Sequence, residues 1–133
     1  MLVAELMTPR VTTIPEDATV AEAVEAFADA HVSAMPVVDD RGRALGVLST
    51  SDLLQAEAEA RTPPERTFLF ERTRVRDLMT PRPLVVKVDA SVREAAQHML
   101  YLEVHRVFVE DEGRVVGVLS QTDVVRALAT GRL

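Results

Sequence analysis

The sequence predicts an α/β (α+β) fold in which a strand–helix–strand–strand–helix unit is performed twice, and three repeats carry that prediction. LMTPR at Leu6 to Arg10 recurs at Leu78 to Arg82; Asp17-Ala18, Val20 and Glu22-Ala23 recur as Asp89-Ala90, Val92 and Glu94-Ala95; GVLSTSD at Gly46 to Asp52 recurs as GVLSQTD at Gly117 to Asp123. They come in the same order in both copies, which is the mark of duplication. Neither copy is large enough to bury a good core alone, so the two are expected to pack into one globule. The copies run over 1–60 and 75–133, with a connector over 61–74.

In the first copy Val11 to Ile14 reads as a short strand. Thr19 with Glu22 three residues on is a capping box that opens a helix. Its apolar positions Val20, Ala23, Val24, Phe27 and Ala28 have helical spacing and are expected to face a core. Ser91 and Glu94 open the matching helix, with Val92, Ala95, Ala96, Met99 and Leu100 as its face. Met35 to Val38 and Ala44 to Leu48 read as strands around an Asp40-Arg41-Gly42 turn, matched by Arg106 to Val109 and Val115 to Leu119 around Glu112-Gly113. A last helix opens after Ser49 and again after Ser120. Between the copies, Pro63-Pro64 cannot continue the preceding helix, and the charges around it suggest an exposed connector. Phe68, Leu69 and Phe70 stand out there, closing either over the chain's own core or over a subunit contact.

Composition excludes several function classes. No apolar run approaches the roughly 20 residues that cross a bilayer, and no basic flank precedes an apolar stretch at the N-terminus, so a soluble, cytoplasmic protein is expected. There is no cysteine, hence no disulfide, thiolate metal site or cysteine nucleophile. A formal charge of −6 argues against general nucleic-acid binding, which needs a basic surface to neutralise phosphate. His31, His98 and His105 show no metal-ligand spacing, and no Walker, Rossmann or G-x-S-x-G pattern occurs, so no enzyme is expected.

The LMTP openings, the caps followed by EA, the MPVVDD and VFVEDE strands and the G-V-L-S-x-x-D endings together resemble tandem CBS domains, the paired module called a Bateman domain. The resemblance covers nearly the whole chain. It implies two pseudosymmetric βαββα units packed through their sheets, with clefts that take adenine nucleotides (AMP, ADP or ATP) or related adenosyl compounds as regulatory ligands rather than as a required cofactor. By resemblance Ser49 and Asp52 line one cleft, Ser120 and Asp123 the other. A hydroxyl, helix-end N–H groups and a carboxylate then stand side by side, the first two suited to phosphate and the carboxylate to the two hydroxyls of a ribose. By spacing alone, Ser-x-x-Asp is also a plain helix cap.

Some nucleotide-binding members carry a His-Arg pair on ligand phosphate where this chain has His105-Arg106; the first copy has Ser33-Ala34 there. The other reading of His105 and Arg106 is a strand-edge histidine and a surface arginine. Arg10, Arg82 and Lys87 read as solvated. The family holds the base with backbone and apolar groups near the first strand, which implies Thr13-Ile14 and Val85-Val86. Thr12-Thr13 becomes Leu84-Val85, Pro15 becomes Lys87, and Met35-Pro36 becomes Val107-Phe108, so the clefts are expected to differ. Family modules pair into homodimers and regulate an attached or separate protein. No effector domain is evident in the chain, so the regulated partner would be a separate, unknown protein. The competing class is a dimeric interaction protein that keeps the fold and binds no nucleotide.

Overall fold

The computed structural model describes all 133 residues, which divide into two compact units, Thr12–Pro83 and Met1–Val11 with Leu84–Leu133. Each unit takes the body of one sequence copy and the opening of the other. In the Thr12–Pro83 unit, β2 (Ile14–Pro15) leads to α2 (Val20–Ala30), β3 (Ala34–Val38), β4 (Ala44–Ser49), α3 (Thr50–Glu59), α4 (Pro63–Arg72), α5 (Val75–Leu78) and β5 (Thr80–Pro81). Its sheet order is β2-β3-β4-β5, with β2 parallel to β3 and the other neighbours antiparallel. The second unit has α1 (Val3–Leu6) and β1 (Thr8–Pro9), then β6 (Val85–Lys87), α6 (Val92–Tyr101), β7 (Arg106–Asp111), β8 (Arg114–Ser120) and α7 (Gln121–Ala129). Its sheet, β1-β8-β7-β6, repeats the same pairings, including a bulge at Val109/Glu110 that matches the one at Val37/Val38. The α/β class read from the sequence is the class observed.

The exchange of openings is written in backbone hydrogen bonds. Val75 N–H donates to Ala18 O at 2.8 Å and Arg76 N–H to Glu16 O at 3.0 Å, so α5 docks on the loop that leads into α2. In the other unit Val3 N–H donates to Ala90 O at 2.8 Å and Ala4 N–H to Val88 O at 3.1 Å, docking α1 in the same way. Val3 and Val75 are fully buried as a result.

Both glycines of the repeated heptapeptide serve this docking. A Cβ on Gly46 would lie 2.6 Å from Met79 Sδ and 2.7 Å from Thr80 O; one on Gly117 would lie 2.5 Å from Met7 Sδ and 2.9 Å from Thr8 O. No side chain fits where β5 crosses β4, or where β1 crosses β8.

The helix caps fall at the residues read, reciprocal at Thr19/Glu22 and one-way at Ser91. Glu22 N–H donates to Thr19 Oγ1 at 3.2 Å, Thr19 N–H donates back to Glu22 Oε1 at 3.2 Å, and Glu94 N–H donates to Ser91 Oγ at 3.0 Å. The buried stripes are narrower than the spacing suggests. Val20, Ala23 and Phe27 are buried on α2, and Val92, Ala95 and Met99 on α6, whereas Val24, Ala28 and Leu100 are exposed. Alternating steps of three and four keep one seam inward, and the positions directly after a seam residue, Val24, Ala28 and Leu100, turn outward. The first strand is shorter than expected: its pairing with β3 starts at Ile14, because Arg10, at φ 58°, turns the chain after β1 and residues 11–13 join no ladder.

The 61–74 stretch holds α4. Thr62 caps it, Glu65 N–H donating to Thr62 Oγ1 at 3.3 Å, and Pro63 and Pro64 occupy its first turn, where a missing N–H costs nothing. Leu69 is buried with Val20 and Ala60, and Phe70 packs against the same cluster, while Phe68 is 64% exposed. The three apolar residues thus divide between core and surface. No helix is long and apolar enough to cross a membrane.

Candidate functional site

Each repeated heptapeptide ends a central strand and begins a helix, and the serine and aspartate bond reciprocally across that junction. Ser49 N–H donates to Asp52 Oδ2 at 2.8 Å and Asp52 N–H donates to Ser49 Oγ at 3.1 Å. Ser120 and Asp123 repeat this at 2.9 and 3.1 Å. All four side chains are half-buried. The cap accounts for one carboxylate oxygen of each aspartate and leaves Oδ1 outside it. At Asp123 that second oxygen lies 3.8 Å from an Arg126 guanidinium nitrogen.

The loops facing these junctions differ between the copies. Thr50 N–H donates to Ser33 O at 3.0 Å, and Gln121 N–H donates to His105 O at 2.9 Å, so Ser33 and His105 hold equivalent places beside the helix starts. Gln121 adds a side-chain bond from its amide nitrogen to Val104 O at 3.1 Å. His105 is exposed, and Arg106 is half-buried directly opposite Ser120 in the β7–β8 register. His105 and Arg106 therefore stand at the same end of α7 as Ser120 and Asp123.

The first-strand residues divide by side. Thr13 is exposed and Ile14 is buried in its unit's core; Val85 is half-buried and Val86 is buried in the other. Ile14 and Val86 thus have only backbone to offer a ligand. Phe108 is buried within its strand. Lys87 is exposed, as are Arg10 and Arg82, which share the left-handed conformation at φ 58°. His98 is exposed on α6.

A cleft of about 360 Å³ runs along α7 in the second unit, lined by Leu6, Thr8, Asp123, Arg126, Ala127, Thr130 and Arg132. Sequence reasoning reached only Asp123 among these. For two of the others a signal lay in the comparison of the copies: in the heptapeptide register Arg126 stands where the first copy has Gln55, and Thr130 where it has Glu59. An apolar hollow of about 310 Å³ opens in the first unit among Val20, Val24, Phe27, Leu53, Leu54 and Phe70.

Two sequence segments, residues 3–59 and 75–130, match the CBS domain. The chain belongs to the CBS domain family, as a tandem pair. It is 30% identical over 148 aligned residues to the chloroplastic CBS domain-containing protein CBSX2 of Arabidopsis thaliana, covering 94% of this chain and 62% of CBSX2. It is 33% identical over 129 residues to the magnesium transporter MgtE of Thermus thermophilus, covering 92% of this chain and 26% of the transporter. The chain thus spans less than two thirds of each of these relatives. The crystal structure of CBSX2 in complex with AMP has the same fold, with a TM-score of 0.79 at 32% identity, over 99% of this chain and 98% of that one.

Proposed function

We propose that this CBS pair is a non-catalytic regulatory module that takes an adenine nucleotide or related adenosyl ligand at the Ser49/Asp52 and Ser120/Asp123 junctions and passes its occupancy to a separate protein. The observation that carries the reading is the duplicated junction itself, in a chain 32% identical to a CBS pair crystallised with AMP. Beyond the bonds already made there, each junction offers the serine hydroxyl hydrogen, one helix-start N–H (Ser51 or Thr122) and the outer carboxylate oxygen. Helix-start N–H groups and serine suit a phosphate, and the carboxylate suits ribose hydroxyls. His105 and Arg106 add donors for phosphate at the second junction. Backbone at Thr13-Ile14 and Val85-Val86 meets the base. Titration calorimetry with AMP, ADP, ATP and S-adenosylmethionine tests this; saturable binding of at least one is expected, and heats at the level of dilution for all four would sink it.

The chain also pairs as a homodimer in this reading. Exposed apolar residues on helices of each unit support it: Val24, Leu54 and Phe68 in one, Leu100, Tyr101, Val125 and Leu128 in the other. Single exposed apolar residues need no explanation, but rows of them along adjacent helices in a highly charged chain do. The same observation favours the second reading, a dimeric interaction protein that binds no nucleotide. Calorimetry separates the two.

A further inference from the structure

We propose that Arg126 and Arg132 form an anion subsite in the α7 cleft, so that the unit of Met1–Val11 and Leu84–Leu133 selects the phosphorylated form of its ligand. Asp123 sits at the third position of α7, and one helical turn further on Arg126 reaches back toward its outer carboxylate oxygen. The Arg126 side chain is 70% exposed and open to the cleft it lines. Arg126 lies about 4.5 Å beyond Asp123 along the helix axis, so a phosphate chain extending from hydroxyls held on Asp123 meets Arg126 and Arg132 on this side of the cleft, in addition to the donors of His105 and Arg106 at the helix start.

Arg132 is brought there by a specific chain reversal. At the end of α7, Gly131 takes φ 73°, Arg132 N–H donates to Ala127 O at 2.8 Å, and Gly131 N–H donates to Leu128 O at 3.2 Å. This is a Schellman cap, which needs the left-handed residue that glycine supplies. It folds the chain back along the helix, and an Arg132 guanidinium nitrogen donates to Glu5 O at 3.4 Å. Thr8 and Thr130 complete the polar lining. The Thr12–Pro83 unit keeps Asp52, Thr80 and an arginine at Arg61 but lacks the rest of the device. Gln55 and Glu59 replace Arg126 and Thr130, and Ala60 ends α3 at φ −84°, so Arg61 leads onward to the cap of α4 instead of turning back. Two guanidinium groups against one carboxylate make the α7 cleft net positive in a chain of net charge −6. Planar guanidinium donors match phosphate oxygens in pairs.

The identity of the ligand rests on the nucleotide reading above; its charge does not. The test therefore has two arms on the intact chain, with Arg126→Gln, which installs the first copy's residue, and Arg132→Gln. In the first arm, calorimetry compares adenosine with ADP and ATP. Each variant is expected to weaken ADP and ATP about tenfold, to flatten the salt dependence, and to leave adenosine unchanged. In the second, inorganic tripolyphosphate is titrated while NMR follows the arginine side-chain Nε–Hε signals. Saturable shifts at Arg126 and Arg132, lost in the variants, are expected. Shifts with tripolyphosphate but no binding of any adenine compound would remove the nucleotide reading and keep the subsite. No shift at either arginine, or an equal loss for adenosine and ATP in folded variants, would overturn the subsite.

Discussion

Met79 closes over Gly46: a Cβ on the glycine would stand 2.6 Å from the methionine sulfur, and Met7 and Gly117 repeat the relationship at 2.5 Å. The two most recognisable repeated motifs, LMTP and GVLS, are therefore two halves of one contact, made between copies in sequence and inside a single unit in space.

Gly46→Ala and Gly117→Ala are each expected to destabilise by about 1 to 3 kcal/mol, the range for forcing extra atoms into a packed site. The nearby Thr80 and Thr8 carbonyls are backbone and cannot swing aside. Met79→Ala in the Gly46→Ala background should restore only part of the loss, since it removes the sulfur and leaves the carbonyl. Thermal melts of the single and double variants read this directly; an unchanged melting temperature for Gly46→Ala would mean that the crossing relaxes without cost.

Acid should loosen the Thr12–Pro83 unit at two identifiable carboxylates. The Thr19 backbone N–H, then its hydroxyl, hold the Glu22 carboxyl below its ordinary value, with Arg74 assisting. The Arg43 backbone N–H does the same for Asp39, joined by the Arg41 N–H and the Arg43 side chain. A carboxyl depressed in the folded state adds stability above its unfolded pKa and loses that contribution as pH falls through the folded one. Melting temperature should therefore fall on acidification below about pH 5, the top of the ordinary carboxylate range. Glu22→Gln and Asp39→Asn keep an acceptor oxygen and should flatten that fall. A slope identical to wild type in the double variant would place the acid sensitivity elsewhere.

The secondary structure was legible where a local rule governs it. The Thr19/Glu22 box, the Ser91 cap and the strand runs at residues 35–38 and 106–109 need only neighbours in sequence. The same rule applies at Thr62 and Glu65, but Pro63-Pro64 reads first as a break, and a proline pair starts a helix as readily as it ends one. The exchange of openings was not legible. Two identical LMTP segments are equally compatible with either body, and only the backbone pairing of α1 with 88–90 and α5 with 16–18 distinguishes them. Ser-x-x-Asp was visible as a motif, while Arg126 and Arg132 enter the same cleft through a helical turn and a chain reversal that no short motif spells out.

Dimerisation should be sensitive to the exposed apolar helices. Leu54 and Leu100 are more than two thirds exposed, and each would add about 1.5 to 3 kcal/mol if fully buried in a partner face. Light scattering is expected to give twice the chain mass for wild type. Leu54→Glu or Leu100→Glu should shift the equilibrium toward monomer without lowering secondary structure, since neither side chain supports its own unit's core. A monomeric wild type at tens of micromolar, a concentration of the order at which a modest interface fills, would exclude the dimer.

The aspartates of the repeated heptapeptide carry two separable roles, one already made in the fold and one proposed for the ligand. As caps, Asp52 and Asp123 each accept a serine N–H, and Asp→Ala should cost about 1 kcal/mol of stability while Asp→Asn, which keeps an acceptor, costs less. As ribose ligands, their outer oxygens should accept hydroxyls in charge-assisted bonds. Removing one hydroxyl from the ligand should then cost about 1 to 3 kcal/mol, so 2′-deoxy-AMP should bind several-fold to about a hundredfold more weakly than AMP. Asp123→Asn separates the roles, because the cap survives a neutral acceptor better than a charged grip on two hydroxyls does. It should narrow the gap between AMP and 2′-deoxy-AMP while barely moving the melting temperature. If wild type binds the two nucleotides equally, or if Asp123→Asn leaves the gap intact, the carboxylates act as helix caps alone and the sugar is recognised elsewhere.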